Sequence, residues 1–205
     1  MKKLFLASYF TKVAGLLTEF VGEDLSGKTA VFIPTAALHE EDAFYVDTDR
    51  AALLNLGLLV EELEISTAPI ETIKKSLSNA DCIFIGGGNT FFLLQELRRT
   101  GADKLVIQHI NNGKPYIATS AGSCVLSKNV IADGIESLDV APELNGDFSA
   151  LSVVDFYIYP HYGHNYWEEL DDVLVSKYYD GLDLIRISDE QVVTINGEDV
   201  KVMTV

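Results

Sequence analysis

At 205 residues the chain can bury one sizeable core, and its 48% apolar content excludes wholesale disorder. Its 31 acidic residues against 15 basic ones leave a formal charge of -16. That balance argues against nucleic acid and anionic membranes as partners, because both reward clustered Lys and Arg. No apolar run approaches the ~20 residues needed to span a bilayer. The N-terminal Met1-Lys-Lys-Leu-Phe-Leu-Ala-Ser8 has the flavour of a signal peptide. Its apolar run is too short, and Glu19, Glu23 and Asp24 follow closely, so it reads as a first strand. Two cysteines, Cys82 and Cys124, make no disulfide scaffold, and a reduced, cytoplasmic compartment is expected.

In chain order, residues 3–8 read as a buried strand. Residues 10–20 carry Val13, Leu16, Leu17 and Phe20 at helical spacing. Residues 28–34 read as a second strand halted by Pro34, and 43–56 as a helix ending at Gly57. A third strand over 58–65 and a short helix over 70–77 follow. Residues 81–85 form a fourth strand that runs into Gly86-Gly87-Gly88. Helices are expected over 89–99 and 102–111. Residues 115–118 then give a short buried strand, and 121–127 the start of a helix. Strands alternating with helices predict an α/β fold with a mostly parallel sheet and right-handed crossovers.

Beyond this point the pattern changes. Residues 129–148 are polar and turn-rich, a loop or small hairpin expected to cover one side of the preceding turn. A strand over 153–159 ends at Pro160-His161, and 166–178 reads as an amphipathic helix. Short strands over 182–187, 191–195 and 200–204 are separated by Ser-Asp-Glu and Asn-Gly-Glu turns, with Asn196-Gly197 as a hairpin signal. No linker or repeat divides the chain, so residues 1–205 are expected to form one domain.

Three stretches can carry chemistry. Thr119-Ser120-Ala121-Gly122 turns a strand into a helix with small residues. A serine at such a turn is held proud of the backbone, and the next N–H can face a developing oxyanion. The alternative is a plain βα turn with Ser120 as an N-cap. Gly86-Gly87-Gly88-Asn89-Thr90 can bring backbone close to a ligand and present free N–H groups at a helix start. It lacks the spacing of the nucleotide-binding glycine motifs. Tyr159-Pro-His-Tyr-Gly-His-Asn165 follows a strand, on the edge where open α/β sheets keep their sites. His161 can act as general base for Ser120. A metal site from His161 and His164 lacks a third ligand, and His164 reads as a loop histidine. No metal or organic cofactor is expected. Such a Ser-His pair needs a carboxylate, and Asp133, Glu136, Asp139 and Glu143 follow the serine; spacing does not separate them.

Taken together, Gly86-Gly87-Gly88-Asn89, Thr119-Ser120-Ala121-Gly122-Ser123 and Tyr159-Pro160-His161 resemble the aspartyl dipeptidase (dipeptidase E) family of serine peptidases, with cyanophycinases as more distant relatives. The resemblance runs from the first strand to about the helix after His161. It implies an α/β fold similar to class I glutamine amidotransferases, with short C-terminal strands. It implies Ser120 as nucleophile, His161 as base, and Gly88 and Ala121 as oxyanion donors. An ungapped register from Phe148 and His161 puts Asp139 on the family's acid position, with Glu136 as runner-up. Gly87, Asn89, Tyr162 and Asn165 are expected to contact a small peptide substrate. A homodimer is compatible with this reading, and a non-catalytic binding module or an esterase on the same site are the alternatives.

Two departures bear on activity. Ala118 stands where the family often has glycine. The family's aspartate-receiving arginine is also missing, since residues 165–185 contain only Lys177 as a cation. Tyr162, Asn165, Tyr166 and Trp167 are expected to shape the pocket instead, without a preference for N-terminal aspartate.

Overall fold

The computed structural model describes residues 1–130, 136–164 and 168–205, and only the backbone of 168–170. Asp133, Asn165, Tyr166 and Trp167, singled out above, lie outside the described residues. The strands are β1 (Lys3–Ala7), β2 (Thr29–Ile33), β3 (Leu59–Glu62), β4 (Cys82–Ile85), β5 (Pro115–Thr119), β6 (Tyr157–Tyr159), β7 (Leu184–Arg186), β8 (Gln191–Asn196) and β9 (Asp199–Thr204). The helices are α1 (Phe10–Val13), α2 (Leu17–Val21), α3 (Phe44–Asn55), α4 (Ile70–Asn79), α5 (Thr90–Thr100), α6 (Ala102–Asn111), α7 (Ala121–Cys124) and α8 (Glu168–Tyr178).

One seven-stranded sheet has the order β3-β2-β4-β5-β1-β8-β9. Its first five strands pair in parallel, while β8 runs antiparallel to β1 and β9 antiparallel to β8. This is the expected α/β fold, closed on one side by a C-terminal hairpin. A separate parallel pair, β6 with β7, carries the segment leading to His161.

Both faces of the central strands are buried, so their sequences are continuously apolar rather than alternating. Leu4, Leu6, Val31, Ile33, Ile83, Ile85, Tyr116 and Ala118 point to the side covered by α4, α5 and α6. Phe5, Ala7, Ala30, Phe32, Cys82, Phe84 and Ile117 point to the side covered by α1, α2 and α3. Phe10 meets Phe84 edge-on at 4.8 Å, which packs α1 against β4. The expected helix over residues 10–20 is broken by a 3-10 turn at Ala14–Leu16 around Gly15, the poorest helix former in that stretch. The strand expected over 153–159 shortens to three residues, because residues 151–154 instead bond back to the segment after α7. Among the described residues no helix is long and apolar enough to cross a membrane.

Candidate active site

The C-terminal ends of β1, β4 and β5 meet at one edge of the sheet, and the chain's three candidate stretches converge there. Ser120 follows β5 with φ 48° and ψ -112°, a backbone state that L-residues avoid. Neighbouring bonds hold it there. Its N–H donates to the Ala7 carbonyl at 3.0 Å, and Ser123 Oγ donates to the same carbonyl at 2.9 Å. Thr119 Oγ1 donates to the Ser8 carbonyl at 3.0 Å and accepts from the Phe10 N–H at 3.1 Å. Gly122 lets α7 press against β4, since a Cβ there would lie 2.4 Å from the Ile85 carbonyl oxygen. Ala118, in the place of the family's glycine, is fully buried in β5 without disturbing this turn.

Ser120 Oγ lies 3.0 Å from His161 Nε2. His161 Nδ1 lies 2.7 Å from Asp189 Oδ1. An ionised carboxylate only accepts, so Nδ1 carries the proton and Nε2 is left to accept from Ser120. Burial works against the charge on Asp189. The hydrogen bond and charge of His161, with Ser8 and Lys12, outweigh it and hold the carboxyl below its ordinary range. His161 itself has φ 60°, and its N–H donates to Ser8 Oγ at 2.7 Å. Ser8 is fully buried and in turn donates to Asp189 Oδ1 at 2.9 Å.

The acid beside His161 is therefore Asp189, and the expectation of Asp139 or Glu136 is corrected. Asp139 is exposed, its N–H donating to Ser137 Oγ at 3.2 Å. Glu136 accepts from the Thr90 N–H and, at 2.8 Å, from Thr90 Oγ1, closing the start of α5. The reason is topological. The described part of the post-elbow loop is tied to α5 through Asn89, Thr90, Gln95 and Arg98. Antiparallel pairing of β8 with β1 instead carries the Ser188-Asp189-Glu190 turn to Ser8 and His161. That turn is visible in the sequence, but its partner strand is not.

Gly87 packs on Ser120: a Cβ on Gly87 would lie 3.3 Å from Ser120 Cβ. Gly88 has φ 126°, and any Cβ there would fall 2.3 Å from the Ala36 carbonyl oxygen, so only glycine fits. Ala121 opens α7, where the first N–H groups have no intrahelical acceptor. A cavity of about 430 Å³ lies over these groups. Gly87, Gly88, Ser120 and His161 line it together with Tyr9, Glu40, Tyr45 and Asp49. Sequence reasoning missed Ser8, Asp189 and the two acids of the lining, Glu40 and Asp49.

Two expected substrate contacts are turned elsewhere. Asn89 caps α5, accepting from the Phe92 N–H at 2.8 Å, and donates to the Ser137 carbonyl at 2.8 Å. Tyr162 lines a neighbouring cavity behind Asp189, with the Arg186 guanidinium 5.2 Å from its ring centre. Asn165 lies outside the described residues. Cys124 is buried beyond the elbow, its Sγ 3.6 Å from the Ile158 carbonyl.

The pattern of "Peptidase family S51" matches residues 4–203. An uncharacterized peptidase of Pasteurella multocida is 44% identical over 199 residues, covering 97% of this chain and 95% of its own. Peptidase E of Haemophilus influenzae is 31% identical over 148 residues, 69% of this chain and 64% of that protein. A crystal structure from Listeria monocytogenes, described as a candidate peptidase E, superposes with a TM-score of 0.94 at 43% identity, covering 100% of this chain and 99% of that one. A match that runs from the first strand to the last places the chain in peptidase family S51, as a serine-type peptidase.

Proposed function

We propose that this peptidase hydrolyses dipeptides or short peptides through Ser120, His161 and Asp189. One observation carries the reading: the unbroken line from Ser120 Oγ to His161 Nε2 at 3.0 Å and from His161 Nδ1 to Asp189 at 2.7 Å. Ser120 Oγ attacks the scissile carbonyl carbon, and its proton passes to Nε2. The N–H groups of Gly88 and Ala121 receive the oxyanion. The imidazolium, held by Asp189, gives its proton to the leaving amine as the C–N bond breaks. Water then attacks the acyl-enzyme, losing a proton to Nε2, and Ser120 regains its own as the acid departs.

The size of the cavity, about 430 Å³, supports a substrate of a few residues. Its lining supports a neutral or cationic residue on the acyl side, because it contains Glu40 and Asp49 and, among the described residues, neither Lys nor Arg. Arg98 is engaged with the Asp147 and Ser149 carbonyls, and Arg99 with Glu96 and the Ser66 carbonyl. Cys82 and Cys124, both buried, fit a reducing compartment, so a cytoplasmic site of action belongs to this reading. A fluorophosphonate probe tests the nucleophile. It should label the wild-type protein at Ser120 and leave Ser120→Ala unlabelled. Labelling at another residue, or none in protein that cleaves peptides, would reject the assignment.

A further inference from the structure

The lining of the cavity at Ser120 contains a group that the catalytic steps do not use. Asp49, on α3, is 1% exposed, yet it lines the cavity. Its Oδ1 accepts from Thr11 Oγ1 at 2.9 Å, which fixes the direction of the carboxyl. Its Oδ2 has no hydrogen-bond partner among the described residues. A buried acceptor left without a donor costs about 1–3 kcal/mol, and more if charged, so such groups are seldom retained without a use. Tyr45 stands beside it in the lining, and exposed Glu40 adds a second carboxylate. Among the described residues, neither Lys nor Arg lines the cavity to answer either acid.

What would complete Asp49 is a donor that brings positive charge and enters from the cavity. A peptide held with its carbonyl at Ser120 carries such a donor on its acyl side. It is either the α-ammonium of an N-terminal residue or the ammonium of a basic side chain. We propose that Asp49 is the receptor for an ammonium group on the acyl-side residue of the substrate, with Glu40 supporting it from the rim. The proposal rests on the peptidase reading of Ser120 and names the specificity-determining group of that site. It gives a reason for the unpartnered oxygen: the free enzyme holds it ready, and a bound ammonium satisfies it. Burial supports the role electrostatically, because a charge pair shielded from water is stronger than one on the surface. It also raises the carboxyl to about 7, opposed by the Thr11 bond, so an arriving cation favours the ionised form.

Binding to a Ser120→Ala background tests this without depending on turnover. Calorimetry near neutral pH would compare Ala-Leu, N-acetyl-Ala-Leu and N-acetyl-Lys-Leu. We expect Ala-Leu or N-acetyl-Lys-Leu to bind about 30-fold tighter than N-acetyl-Ala-Leu, the worth of one charge-assisted hydrogen bond. An advantage for Ala-Leu assigns the α-ammonium; one for N-acetyl-Lys-Leu assigns the side chain. Adding Asp49→Asn should reduce that advantage to roughly 3-fold or less, since a neutral amide keeps the shape but not the charge. If that variant does not fold, Glu40→Gln at its exposed position should still lower the ratio by a smaller step. Equal binding of all three peptides to the Ser120→Ala protein overturns the proposal. So does an advantage that survives Asp49→Asn, or one that Glu40→Gln leaves whole where Asp49→Asn cannot be made. Failure of the peptidase reading would show separately, as absent fluorophosphonate labelling of the wild type.

Discussion

Ser8 Oγ donates to Asp189 Oδ1 at 2.9 Å while accepting the backbone N–H of His161 at 2.7 Å. One buried hydroxyl thus ties His161 and Asp189 to the end of β1, which pairs with β5, the strand that leads into Ser120. It also supports the backbone of His161, which sits at φ 60°. Ser8 is in this sense a positioning residue, acting through His161 and Asp189. Ser8→Ala leaves the His161 N–H and one Asp189 lone pair unmet in a buried place, worth about 1–3 kcal/mol. Spent on imidazole orientation, that predicts a loss of roughly 10- to 100-fold in kcat with little change in KM. A purely structural role would instead lower the Tm and leave kcat per folded molecule intact.

Asp189→Asn separates the observed acid from the one expected by register. The asparagine amide can donate to Nδ1, which favours the wrong tautomer and removes the charge that stabilises the imidazolium. A fall in kcat of roughly 10³- to 10⁴-fold is expected, as for orienting acids in serine hydrolases. Asp139→Asn, at an exposed loop position, should stay within a few-fold of wild type. Glu136→Gln should lower the Tm slightly, because it weakens the closure of α5 at Thr90, and leave kcat near wild type. A larger loss in Asp139→Asn than in Asp189→Asn would return the role to Asp139.

Local signals made most of the fold legible, and non-local pairing hid the rest. The runs Thr29–Ile33 and Cys82–Ile85 are apolar without alternation, which is how a parallel, doubly covered strand reads. Small residues at Thr119 to Gly122 marked the elbow because a turn of that shape tolerates little else. Nothing local says that β8 lies antiparallel against β1, and that pairing alone delivers Asp189. The acidic lining was hidden for a related reason. Asp49 sits on a helix with no strong amphipathic pattern, next to Asp47, and its sequence does not reveal that one of the two is buried.

Asp49 also predicts a pH-dependent stability. Burial pushes its carboxyl from an ordinary 3.8 up to about 7 in the folded protein. Between those values the folded state holds a proton that the unfolded chain has released, so stability falls as pH rises. The cost is absent below about pH 4 and complete above about pH 7. It amounts to a few kcal/mol at most, about 1.36 kcal/mol for each unit of displacement. Asp49→Asn has nothing to titrate there. Its Tm relative to wild type should therefore climb between about pH 4 and pH 7, by several degrees. Parallel Tm curves across that range would mean that Asp49 titrates like a surface acid.

Selectivity for N-terminal aspartate is the property in which family resemblance and this site diverge. A carboxylate entering a closed pocket needs a cation or several donors, or it costs several kcal/mol. Arginine meets that need with a planar fork that lysine does not match. Here the nearest arginine after the histidine motif is Arg186, which lies over the Tyr162 ring and 3.9 Å from Asp172. The cavity at Ser120 presents Glu40 and Asp49 in its place, and these repel a second carboxylate. Asp-Leu should accordingly be cleaved more slowly than Ala-Leu, by roughly 10-fold or more in kcat/KM, or about 1.4 kcal/mol. The deficit should narrow in Glu40→Gln, which removes one of the repelling charges. Competition assays with the two dipeptides at low and high salt would measure both effects. Cleavage of Asp-Leu 100-fold faster than Ala-Leu, about 2.7 kcal/mol in the other direction, would mean that Arg186 or another cation leaves its present partners to receive the aspartate.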